Sequence, residues 1–170
     1  FTAGGTEADN LAVKGLALAR PRGRRIVTSV VEHPAVLEAC DYLERFHGFT
    51  VHRLGVGSDG VVDLAEAEDA IDEDTTLVSV MLANNEIGTV QPVGEIAAIA
   101  HRVGALVHTD AVQAVGAMPV HPAALGVDAL SLSGHKLGAP KGSGALWLRR
   151  GAALEPLVHG GGQERGRRSG

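Results

Sequence analysis

Only one cysteine, one tryptophan, one tyrosine and three phenylalanines stand in 170 residues. The lone thiol, Cys40, excludes an internal disulfide framework and any metal site built from several cysteines. Aromatics at 3% leave the core to aliphatic side chains. No stretch approaches ~20 uninterrupted apolar residues, and no charged segment leads into an apolar run at the start. Neither a membrane span nor a secretory signal is expected, and the chain reads as cytoplasmic. Basic charge is scarce as well: 15 Lys and Arg against 20 Asp and Glu leave a net charge of -5. No basic run exceeds the short Arg-Gly-Arg-Arg at 22–25, so nucleic acid is not an expected partner. The eight histidines form no helical His-x-x-x-His pair beside a third ligand, and no metal site is expected.

What is present fits a globular protein: 45% hydrophobic residues and a mean hydropathy of +0.11 supply enough apolar surface for a core. Apolar residues at 11, 13, 16, 17 and 18 predict a helix over 6–20, and the β-branched run Ile26 to Val31 predicts a strand. The alternation continues through a helix at 34–46, a strand at 50–54, a helix at 63–72 and a strand at 76–82. It goes on with a helix at 93–103 and strands at 105–109, 128–132 and 143–149. Helices alternating with strands predict an α/β fold, a mainly parallel sheet flanked by helices. The turn residues that open the chain and the glycine-rich run that closes it read as a segment cut at both ends.

Ligands of open α/β sheets sit beyond the carboxyl ends of strands, and those ends are polar here. Gly4-Gly5-Thr6 leads into a helix whose free N–H groups form an anion site; alternatively, Thr6 caps that helix, with Asp9 returning a capping bond. Asp110 ends an apolar strand, where a carboxylate needs a cation or several donors; a protonated pyridine nitrogen is one such partner, and a helix cap shared with Gln113 is the other reading. Lys136 follows a strand in Ser133-Gly-His135-Lys136, where glycine lets backbone approach a ligand and a neutral lysine amine forms imines; a solvated loop lysine is the alternative. Ser133 and His135 beside it can donate to phosphate oxygens. His33 is suited to stacking and proton transfer, or simply caps the helix that Pro34 begins. Asn84, Asn85 and Gln91 offer neutral donors, or hold their own loop. Cys40 lies in the apolar register of its helix and reads as buried.

Taken together these stretches resemble the cysteine desulfurases of the class-V aminotransferase superfamily, fold-type I pyridoxal-phosphate enzymes. The resemblance rests on Phe1-Thr-Ala-Gly-Gly-Thr-Glu-Ala-Asp-Asn, Glu32-His33, Asn84-Asn-Glu-Ile-Gly-Thr-Val-Gln, His108-Thr-Asp-Ala-Val-Gln, Ser131-Leu-Ser-Gly-His-Lys136 and the Gly160-Gly-Gly-Gln-Glu-Arg-Gly run, in family order. It implies pyridoxal 5'-phosphate as cofactor, Lys136 as its Schiff-base lysine, Asp110 on the pyridine nitrogen and Gln113 on the ring hydroxyl. It further implies His33 stacked on the ring, Gly5, Thr6, Ser133 and His135 around the phosphate, and Asn85 near the substrate. The implied reaction converts L-cysteine to L-alanine and passes sulfur as a persulfide to an enzyme cysteine, serving iron–sulfur cluster or thiolation pathways through sulfur-acceptor or scaffold proteins. Residues 1–170 would then be a single cofactor-binding large domain of a homodimer, lacking the family's opening segment and its C-terminal small domain. The sulfur-accepting cysteine and carboxylate-binding arginine would lie outside them. Selenocysteine lyase, another class-V aminotransferase, or an inactive cofactor-binding or dimerisation module are the competing readings.

Overall fold

The computed structural model describes all 170 residues. In chain order the elements are α1 (Gly5–Ala19), β1 (Arg25–Ser29), α2 (Pro34–His47), β2 (Thr50–Leu54), α3 (Leu64–Ala70) and β3 (Thr75–Ser79). Then come α4 (Val93–Arg102), β4 (Leu106–Asp110), α5 (Pro122–Leu125), β5 (Ala129–Ser133) and β6 (Gly144–Leu148). The strands form one sheet in the order β2-β1-β3-β4-β5-β6. All pairs are parallel except β5 with β6, so the expected mainly parallel α/β sheet is what the chain forms.

Successive residues of a strand face opposite sides of a sheet, and here the alternation sorts the core into two halves. Ile26, Leu77 and Ala129 point to one side, where they meet α1 and α2 through Val13, Leu16, Val36, Cys40 and Leu43. Their neighbours Val27, Val78 and Leu130 point to the other, against α3 and α4 through Ala67, Ile96 and Ala100. Strands buried on both faces need near-continuous apolar runs, which is why 26–31 and 76–82 stand out in the sequence. β3 ends at Ser79 rather than at 82, yet the N–H of Val80 and of Leu82 still donate to His108 and Asp110 carbonyls at 3.2 and 2.8 Å. The four-residue α5 was not anticipated because it is shorter than any helical period that apolar spacing can reveal.

Two features position the functional face. First, the chain steps outward from β1 to β2 and returns to β3 on the other side of β1, and at such a reversal neighbouring loops diverge and leave a crevice. Second, the chain start pairs with β6: Thr2 N–H donates to the Gly144 carbonyl at 2.9 Å and Gly144 N–H to the Thr2 carbonyl at 2.8 Å. Gly144 has to be glycine, since a Cβ there would fall 2.6 Å from the Gly4 carbonyl carbon. The pairing carries the Gly4-Gly5 turn, and with it the start of α1, up to the end of β5.

Candidate active site

A cavity of about 420 Å³ opens at the carboxyl ends of the strands and is lined by the nine residues to which the family resemblance gives a role: Gly5, Thr6, His33, Asn85, Asp110, Gln113, Ser133, His135 and Lys136. They arrive from the start of α1, from the ends of β4 and β5, and from the segments that follow β1, β3, β4 and β5. Asp9, Met81, Ala83, Glu86 and Val112 complete the wall. A second opening shares Gly5, Thr6, Ser133 and His135 with the first and adds Lys141.

Thr6 lies inside α1 and does not cap it; Gly4 precedes the helix with no side-chain cap bond, so the first-turn N–H groups keep their donor capacity toward the cavity. Gly5 sits tight against the opposite wall, where a Cβ would meet Val112 Cγ2 at 3.0 Å and Ser133 Cβ at 3.2 Å. The Ser133 hydroxyl and His135 Nδ1 are 2.9 Å apart, which fixes both next to that helix end. Asp9 returns no capping bond either. It is on the buried face of α1, 2% exposed.

Asp110 does not cap a helix. Its Oδ1 accepts the Val112 N–H at 2.8 Å, a local turn that aims the rest of the carboxyl into the cavity. Burial raises its pKa, opposed by the Val112 N–H and by His33. His33 does cap α2, its Nδ1 accepting from Ala35 N–H at 3.1 Å, and its ring still faces the cavity. Capping and site roles therefore coexist in this residue. Lys136 lies on an exposed turn of 3-10 helix, Gly134–Leu137, that follows β5 directly.

Of the three amides named as neutral donors, only Asn85 lines the cavity. Asn84 serves its loop, donating to the Val31 carbonyl at 2.9 Å and accepting from Glu86 and Ile87 N–H. Gln91 accepts from Val62 N–H at 2.9 Å and donates to the Gly60 carbonyl at 2.7 Å, spanning a buried loop contact instead. Two buried acids that interact with Asp110 have no site role in the sequence reading. Asp9 is one, and Glu32 is the other, its Oε1 accepting from Ser29 Oγ at 2.6 Å and Met81 N–H at 2.9 Å. The register of α1 held the signal for Asp9, which shares the face of Gly5, Ala8, Ala12, Val13 and Leu16, all buried.

The donor set fits pyridoxal phosphate by its chemistry. An uncapped helix end with Ser133, Thr6 and His135 suits a phosphate; a buried carboxylate suits a ring-nitrogen cation; and a lysine on the rim can reach an aldehyde.

Known proteins point the same way. Residues 1–167 match the family model "Aminotransferase class-V". A protein named "Cysteine desulfurase" from Cereibacter sphaeroides is 55% identical over 170 residues, covering 100% of this chain and 44% of that protein. "Cysteine desulfurase IscS" from Methanosarcina thermophila is 53% identical over 171 residues, covering 100% of this chain and 42% of the relative. Among solved structures, a "NIFS-LIKE PROTEIN" superposes with a TM-score of 0.94 at 48% identity, over 99% of this chain and 47% of that one. "SspA in complex with cysteine" does so with a TM-score of 0.93 at 42% identity, over 99% and 49%. The chain thus spans under half the length of these relatives. With a fold, a cavity and a family model that agree along nearly its whole length, this chain belongs to the class-V aminotransferase family.

Proposed function

We propose that these residues form the cofactor-binding domain of a pyridoxal-phosphate-dependent cysteine desulfurase, acting on L-cysteine, yielding L-alanine and passing the sulfur to a cysteine as a persulfide. Members of the class-V aminotransferase family use pyridoxal phosphate, and curated relatives carry the cysteine desulfurase name. The observation that carries the reading is the convergence of Lys136, Asp110, His33 and the α1 terminus on one cavity. The cofactor, when bound, supplies an electron sink for a carbanion at the substrate's α-carbon.

The chain's own residues divide that work. The α1 N-terminus with Gly5, Thr6, Ser133 and His135 would bind the phosphate. Asp110 places a negative charge at the floor of the cavity and keeps the ring nitrogen protonated. His33 and Gln113 line the same cavity; His33 would stack on the ring, and Gln113 would donate to the ring oxygen. Lys136, which lines the cavity, would hold the cofactor through its amine, which would also supply a base for the substrate's α-carbon proton. Asn85, on the exposed rim, meets the substrate. We further infer a cytoplasmic homodimer in which residues 165–170 face the partner, with sulfur-acceptor or scaffold proteins as its clients.

The test is covalent. Adding pyridoxal phosphate should give a visible absorption band, and borohydride should fix the cofactor onto Lys136. Labelling of Lys14, which sits over the Tyr42 ring at 4.3 Å, or of Lys141 would overturn the assignment.

A further inference from the structure

Asp9 is the least explained group in the cavity wall. Its side chain is 2% exposed, it lines the cavity with Asp110, and its Oδ1 has no hydrogen-bond partner. The Ser131 hydroxyl is near enough to favour the ionised form a little, but it meets His108 Nε2 at 2.8 Å. His108 Nε2 itself is 3.8 Å from Asp9 Oδ1, too far for a hydrogen bond.

Nor is His108 a counter-ion. It is fully buried between the Ser79 and Ser131 hydroxyls, each 2.8 Å from a ring nitrogen, and burial pushes its pKa down to about 3. Burial thus favours the neutral imidazole. The nearby acids supply no cation either. Asp110 is the charged neighbour that acts on Asp9, and Glu32, buried after β1, is affected by both aspartates. His33, His135 and Lys136 line the same cavity, and of these His33 acts on Asp110.

Two carboxyls in one buried site do not both ionise, because like charges in a medium of low polarity repel strongly. The partners decide which keeps the proton. Asp110 has the Val112 N–H at 2.8 Å and the help of His33, while Asp9 Oδ1 has nothing. Burial and the charge of Asp110 together push Asp9 up to about 8.

We propose that Asp9 is a positioning residue for Asp110: held as a neutral carboxylic acid in the same cavity wall, it confines the pair's single negative charge to Asp110. The inference rests on the function proposed above in one respect, that Asp110 is the group meeting the cofactor's ring nitrogen. An ionised Asp9 would offer that nitrogen's proton a second, misplaced carboxylate; a neutral one leaves a single point of charge in one direction.

The test uses the protein at its full encoded length, labelled with carbon-13 at aspartate side chains so that Glu32 is silent, and follows the carboxyl signals by infrared and NMR from about pH 5 to 9. A protonated aspartate signal should be present at neutral pH, should titrate near 8, and should be missing in Asp9→Asn. Asp9→Ser gives the same assignment by a second route. In Asp110→Asn the signal should titrate at lower pH, because the like charge is gone; a purely structural Asp9 would not respond. Asp110→Asn should also lose about tenfold or more in pyridoxal phosphate affinity. Absence of the protonated signal near neutral pH, or a titration indifferent to Asp110→Asn, overturns the inference. Failure of pyridoxal phosphate to attach at Lys136 would instead remove the proposed function while leaving the carboxyl titration to stand by itself.

Discussion

Glu32 shows how one buried side chain couples the site to pH. One carboxylate oxygen accepts from Ser29 Oγ and Met81 N–H, while the other has no partner, and burial pushes its pKa up to about 8 from 4.5. The folded state therefore binds this proton more tightly than the unfolded chain does. The stability it contributes is complete below about pH 4.5 and is lost as pH rises toward about 8, at a limiting slope of about 1 kcal/mol per pH unit. Glu32→Gln retains an oxygen for both donors and removes the titration. Urea unfolding over this range should give a flatter stability curve for the variant, by an amount that grows with pH. Parallel curves for the two proteins would show that Glu32 titrates as an ordinary carboxylate. Part of the slope should survive, since Asp9 loses its proton in the folded state near the same pH.

At the scale of elements, the site depends on the chain start being strapped to β6. Gly144→Ala places a methyl group 2.6–2.8 Å from three backbone atoms of Gly4, and backbone cannot rotate away as a side chain can. The two hydrogen bonds between Thr2 and Gly144 should break, moving the α1 terminus off Ser133. The expected result is about 1–3 kcal/mol of lost stability with phosphate or cofactor affinity falling about tenfold or more, as titration would read. Gly94→Ala is the control: it lies in α4 with nothing within 4 Å of an added Cβ and should be neutral or stabilising by up to about 1 kcal/mol. Equal effects of the two would refute the strap. This device also marks where sequence reading stops. Strands β1 to β6 and helices α1 to α4 were legible because each carries its own apolar run or period, and strand-end position together with the polar and glycine neighbours brought Asp110 and Lys136 forward. The Thr2–Gly144 pairing links residues from opposite ends of the chain and leaves no local pattern. Asp9 reads locally as a capping residue, although the register of α1 puts it on the buried face.

For the molecule as a whole, the question is where a thiol could come from. Cys40 is the only one, and it is not among the cavity-lining residues. It lies in the apolar layer between α1, α2 and the sheet, fully buried, and burial together with nearby Glu32 pushes its pKa up to about 12. A thiol attacks sulfur as the thiolate, so at neutral pH Cys40 is neither ionised nor accessible. Alkylating reagents should modify it only as fast as the protein unfolds, and Cys40→Ser should cost stability, through a hydroxyl buried among aliphatic side chains, while leaving cofactor attachment at Lys136 unchanged. The 170-residue chain loaded with pyridoxal phosphate should therefore release neither sulfide nor alanine from cysteine at an enzymic rate. Activity should appear when the remaining length found in the relatives, which are more than twice as long, is supplied in the same chain or added as a separate domain. The measurement is persulfide mapping by mass spectrometry after incubation with cysteine. Rapid persulfide formation on Cys40 in the 170-residue chain would mean that α2 opens far enough to deliver its thiol to the cavity, and would place the sulfur acceptor inside these residues after all.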